Sequence, residues 1–202
     1  MKSQPSAFTE GSPVNPAHPE PQGRWLLHTR KLTFEGYLRE DGLFDIEARL
    51  QDITAVPTDM PFASLPPGGT IHDMRLVMTI DGEMVVRQIR ATTEVGATPY
   101  CAEINDAYAS LAGLKIGLGF KQQVKARVGG VRGCTHLTEL MGGLGTAAMQ
   151  TLFSIRRAES SRRRAREPNA PIPKPWVIDT CHAYRMDGEA VQIMWPPARR
   201  IA

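Results

Sequence analysis

Residues 31–50 read KLTFEGYLREDGLFDIEARL, and the period of this stretch decides the fold class. Leu32, Phe34 and Leu38 alternate with polar neighbours, and Phe44, Ile46, Ala48 and Leu50 do the same beyond Asp41-Gly42. Alternation at period two on either side of a dipeptide that tolerates positive φ predicts a β-hairpin with one buried face. The pattern returns where Met74, Leu76, Met78 and Ile80 alternate up to Asp81-Gly82, followed by a strand from Met84 to Ala91. A third Asp-Gly, Asp187-Gly188, separates Trp176–Arg185 from Ala190–Trp195. Six strands in three Asp-Gly hairpins are expected.

Between the second and third hairpins the period becomes helical. Ile104, Ala107, Tyr108 and Leu111 mark one apolar stripe, and Phe120, Val124 and Val128 mark a second that stops at Gly129-Gly130. A third begins near Cys134 and runs through Leu137, Leu140, Met141, Leu144, Ala148 and Leu152. Gly142, Gly143 and Gly145 weaken it and mark a kink or a close approach of another backbone. Strands, helices and strands again predict an α+β fold, with a mainly antiparallel sheet and about three helices packed on one face.

The chain has 202 residues and ordinary apolar content, enough for one substantial core. No run approaches the length of a membrane helix. With no apolar leader stretch and three scattered cysteines, a reducing cytoplasm is the expected setting. Residues 1–24 hold five prolines, three serines and little that can pack, which predicts a disordered tail; 25–202 is expected to be a single globular domain. An irregular Arg/Pro-rich loop is expected at about 156–175. Its six arginines face only Glu159 and Glu167, so 156–167 carries a formal +4 and the remainder of this +3 chain about −1. Basicity so localised, without interleaved aromatics, argues against a nucleic-acid-binding face and for a solvated helix end running into a proline-rich linker.

Chemistry points elsewhere. Among three cysteines and five histidines, Ile71-His72-Asp73, Gly133-Cys134-Thr135-His136 and Asp179-Thr180-Cys181-His182 place histidine beside cysteine or acid. These side chains ligate borderline metals and act as nucleophile and base near neutral pH. If His72 opens a strand, it shares the core side with Met74, Leu76 and Met78; its bland alternative is a histidine satisfied by Asp73 or backbone. Cys134 follows Gly133 at a helix start, where exposed N–H groups and the helix dipole stabilise a thiolate. His136 lies in the same turn, and Glu139 is three residues further on. The candidate catalytic residues are therefore Cys134, His136 and Glu139. The candidate metal ligands are His72, Cys134, His136 and His182, a donor set that suits zinc or iron. Cys101 and Cys181 are optional members, and Met74, Met78, Leu137 and Tyr184 would wall a site for a small aromatic or acyl substrate.

Three readings follow: a metal-dependent or thiol/histidine enzyme, a non-catalytic metal or iron–sulfur carrier, and an interaction module using the arginine segment. No membrane association is expected. Oligomeric state is not legible.

The succession Leu27-His28-Thr29-Arg30, Gly36-Tyr37 to Asp41-Gly42, Ile71-His72-Asp73-Met74, Tyr108 to Ile116, Arg132-Gly133-Cys134-Thr135-His136-Leu137 and Asp179-Thr180-Cys181-His182-Ala183 resembles an uncharacterised bacterial family, the domain of unknown function numbered 2889. The resemblance spans about Leu26 to Trp195. It implies no reaction, cofactor or catalytic residue. The order Cys101/Glu103, Gly133-Cys134, Cys181-His182 is also similar to that of iron–sulfur scaffold ligands, as an analogy of ligands and not of fold.

Overall fold

The computed structural model describes residues 23–167 and 170–201; the expected tail therefore lies, up to residue 22, outside the described residues. The chain divides into two compact units, 1–151 and 152–202.

The first unit is built on a four-stranded antiparallel sheet of order β1-β2-β5-β6. Its strands are β1 (His28–Leu38), β2 (Phe44–Thr54), β5 (Thr70–Ile80) and β6 (Val86–Val95). The loop between β2 and β5 carries a small hairpin of β3 (Thr58–Met60) and β4 (Ala63–Leu65). Asp41-Gly42 lies in the β1–β2 connection, where Gly42 has φ +80°. Between β5 and β6, Asp81 Oδ1 instead accepts from the Glu83 and Val85 amides, and it is Met84 that adopts positive φ.

One face of the sheet is the core. Phe44, Ile46, Ala48 and Leu50 of β2 and Met74, Leu76, Met78 and Ile80 of β5 are buried on it, each row in register with the other. Following the sheet come a 3-10 helical segment, Cys101–Leu111, then α1 (Phe120–Val128) and α2 (Thr135–Arg166). Tyr108, Leu111, Val124, Val128, Leu137, Leu140 and Leu144 complete the core. Two glycines report how closely α2 approaches β1. A Cβ on Gly143 would collide with the Phe34 ring, and one on Gly36 with Thr151. At Gly143 what comes close is the Phe34 side chain, not the other backbone that was expected.

Among the described residues there are six strands, of which β1, β2, β5 and β6 lie where expected and β3 and β4 do not. The third hairpin does not form: Trp176–Arg185 and Ala190–Trp195 contain no strand, and the second unit instead has a 3-10 turn at His182–Tyr184 and α3 (Glu189–Met194). Ile178, Val191 and Trp195 close a small core there. Gly188 precedes α3 with φ −77°, so this Asp-Gly opens a helix and not a tight turn. The expected loop is also partly replaced, because α2 continues through the arginine run to Arg166. Among the described residues no helix is long and apolar enough to cross a membrane.

Candidate metal and thiol site

The inward alternation of β2 does not stop at Leu50. Two residues on, Asp52 is 2% exposed and stands on the same face, flanked in register by Arg30 of β1 and His72 of β5. A row of apolar residues thus gives way, at one end of the sheet, to the cross-strand row Arg30–Asp52–His72. The β2–β5 register shifts immediately after Asp52, and such irregularities re-aim side chains where pairing ends.

Arg30 holds the carboxylate with both arms of its fork, Nε to Oδ1 at 2.7 Å and one terminal nitrogen to Oδ2 at 2.8 Å. Its other terminal nitrogen donates to Glu139 Oε2 at 2.7 Å. His72 Nδ1 lies 2.9 Å from Oδ2 and His28 Nε2 3.0 Å from Oδ1. Burial alone would push this carboxyl up. The hydrogen bonds from Arg30 and His72 outweigh it and hold Asp52 at about 2. An ionised carboxylate only accepts, so both histidine nitrogens facing it are donors, which fixes the tautomer of neutral His72.

His136, in the first turn of α2, comes down onto this row. Its ring stacks on His72 with centroids 3.9 Å apart, and its Nε2 lies 3.8 Å from Asp52 Oδ2. Burial, with His72 and Arg30 nearby, lowers its pKa and favours the neutral, ligating imidazole. On the other side of the ring, Nδ1 lies 3.7 Å from Cys134 Sγ, which in turn is 3.8 Å from Met74 Sδ. The helix start is fixed by buried Tyr108. Its hydroxyl accepts from the Cys134 amide at 3.1 Å and donates to the Cys134 carbonyl at 2.9 Å, and it stands 2.9 Å from the Thr138 hydroxyl.

One potential ligand atom from each of Asp52, His72 and His136 lies within 4.8 Å of the others. Two donors bound to one tetrahedral ion at about 2.1 Å stand roughly 3.4 Å apart, and the 2.9 and 3.8 Å separations from Oδ2 bracket that figure. The formal charges of Asp52, Glu139 and Arg30 sum to −1, which favours a cation.

Of the residues singled out in the sequence, His72, His136 and Cys134 meet in the first unit. Glu139 reaches them through Arg30. His182 lies exposed in the 3-10 turn of the second unit, with exposed Cys181 before it. Cys101 sits beside Thr98, 3.3 Å from its hydroxyl. Asp73 is not the partner of His72: it faces the opposite side of the sheet, where Arg49 and Gln51 donate to it. Asp52, Arg30 and His28 were missed as site residues. Continued alternation from Leu50 to Asp52 was the signal that could have found the carboxylate.

A family model described as a protein of unknown function, DUF2889, matches residues 28–150. That span holds every residue of the cluster and ends before the arginine run and the Asp179–Ala183 motif. No curated protein and no solved structure matches the chain.

Proposed function

Taking as premise that the chain belongs to the DUF2889 family over the segment bearing the cluster, we propose that it is a metal-dependent enzyme. Asp52, His72 and His136 would hold one divalent zinc or iron ion, with a coordination position left to water or substrate. The observation that carries this reading is the convergence of three ligand atoms within 4.8 Å on a buried face. Three protein ligands of this N/O type with an open position are the pattern of catalytic sites, whereas structural zinc is closed by four. When bound, such an ion supplies Lewis acidity and a water acidified to a pKa of about 7.

The chain's own residues have separate tasks. Arg30 and His28 fix the carboxylate, and Glu139 offsets the guanidinium charge beside the ion. To ligate through Nδ1, neutral His72 would carry its proton on Nε2 instead of donating it to Oδ2, a change of tautomer with no net release of acid. Met74 and Leu137 are fully buried, so they pack beneath the cluster and do not wall a site for a small acyl or aromatic substrate.

Elemental analysis of protein purified without a metal-affinity tag tests the reading. Stoichiometric zinc or iron is expected, lost in His72→Ala and His136→Ala but kept in Cys134→Ala. Metal-free wild-type protein that also fails to take up zinc at micromolar concentration would refute it.

A second reading rests on the 3.7 Å between Cys134 Sγ and His136 Nδ1 at the head of α2. There Cys134 is a thiolate nucleophile and His136 its base, with Asp52 behind. Rapid alkylation of Cys134 in the presence of a chelator, slowed in His136→Ala, favours it.

A further inference from the structure

Beside the cluster, α1 and the first two turns of α2 enclose a cleft of about 320 Å³ that nothing above employs. Its size lies at the lower end of ligand pockets. Phe120, Val124 and Met141 form its apolar wall, and Cys134 contributes to its lining at one end. The thiol of that residue lies 3.7 Å from His136 Nδ1, so Cys134 is shared by the cleft and the candidate site.

Two lysines set its polarity. Lys121 and Lys125, one helical turn apart on α1, both line the cleft. Both are exposed, and neither has an ion-pair or hydrogen-bond partner among the described residues. No acid occurs in α1 to neutralise them. At Gly142, where α2 turns glycine toward the cleft, an added Cβ would meet only the end of Lys121, Cε at 3.8 Å and Nζ at 4.0 Å. The Lys121 ammonium therefore marks the end of the cleft remote from Cys134. From residue 134 to residue 142 the helix rises about 12 Å.

We propose that this cleft binds a small apolar anion, its body on Phe120, Val124 and Met141, its negative group at Lys121 and Lys125, and its other end beside Cys134. This deepens the functional reading above by giving its substrate class: an acyl compound with an acidic group at the end opposite the reacting one. It depends on that reading only for what happens at Cys134 and His136.

Octanoate serves as the probe and octylamine as its charge-reversed control, titrated calorimetrically into the untagged full chain. Octanoate binds, and octylamine binds at least roughly tenfold more weakly. The double variant Lys121→Glu/Lys125→Glu loses roughly tenfold or more of the octanoate affinity. Gly142→Leu, whose side chain enters the cleft from a helical position with room at Cβ, abolishes binding while circular dichroism stays native. Octanoate also slows iodoacetamide labelling of Cys134. Equal binding of the two probes, octanoate affinity unchanged in either variant, or no octanoate binding overturns the proposal. Metal content measured on the same samples separates the two ideas. Zinc retained without octanoate binding removes the cleft alone, and octanoate binding to a chain that never takes zinc removes the metal reading alone.

Discussion

Replacing Asp52 by asparagine, with a chelator present so that no metal contributes, isolates the electrostatic keystone of the cluster. The variant keeps the shape of the side chain and removes its charge. In the folded protein the carboxyl is held at about 2, against an ordinary 3.8. That difference corresponds to about 2 kcal/mol of stabilisation when the group is ionised in both states. Removing one member of a fully buried ion pair costs about 3–5 kcal/mol. Arg30 is one-third exposed and reachable by water, so the loss belongs nearer the lower figure, about 2–3 kcal/mol.

The pH dependence has a definite sign. Because the folded-state pKa is depressed, the contribution is complete above the unfolded value of about 4 and fades as pH falls through the folded value. At pH 3 roughly half remains. Urea denaturation of both proteins at pH 7, 5 and 3 measures this, comparing midpoints at unchanged slope. The gap between wild type and Asp52→Asn should be equal at pH 7 and 5 and shrink by about half at pH 3. A gap below about 0.5 kcal/mol at pH 7, or one that stays flat down to pH 3, would refute the assignment of a buried, fully hydrogen-bonded carboxylate.

Two neighbouring glycines of α2 should respond with opposite signs. Gly143→Ala drives a methyl into the Phe34 ring and should cost about 1–3 kcal/mol in denaturant, whereas Gly142→Ala meets only ordinary contact at 3.8 Å and should gain up to about 1 kcal/mol from helix propensity; equal effects would mean that α2 does not press on β1 there. Tyr108→Phe leaves the Cys134 amide without its 3.1 Å acceptor. It should cost about 1–3 kcal/mol and alter the rate of Cys134 alkylation, and an unchanged rate would show that Tyr108 does not position the thiol.

How far the sequence discloses this site depends on which rule each residue obeys. The apolar alternation of β2 and β5 was legible because burial on one face leaves no freedom of register, and it correctly put His72 on the core side with Met74. Cys134 and His136 were legible as a helix start because Gly133 interrupts the chain just before a period-3.6 stripe. Asp52 obeys the same alternation as Leu50 but violates its usual chemistry, since a charged residue at an inward position reads as the end of a strand. What makes it affordable is Arg30, 22 residues away and directly opposite in register. No local pattern reveals a partner at that distance. The C-terminal segment failed for the converse reason. Asp187-Gly188 carries a hairpin's composition, but a tight turn needs positive φ, and Gly188 at −77° does not supply it. Val191 and Trp195, four residues apart, are both buried, which is the spacing of a helix and not of a strand.

The position of the cluster follows from the fold. β1, β2 and β5 extend beyond the apolar core, so the cross-strand row after Leu32, Leu50 and Met74 must be covered by something other than aliphatic packing. The head of α2 covers it. Tyr108 pins that head through the Cys134 amide and carbonyl, and Gly143 lets the same helix settle on Phe34 two turns later. With both points fixed, His136 has little choice but to lie over His72. The two imidazoles above an ionised carboxylate then stand ready for a cation without rearrangement of the backbone. A metal ion bound there would therefore bring most of its free energy to affinity instead of spending it on ordering ligands. For the same reason, loosening α2 at a distance should weaken the site as surely as removing a ligand. Gly143→Ala is the variant that separates these effects, since it touches none of the ligands. If its zinc affinity matches wild type while its stability falls, the helix covers the cluster without organising it.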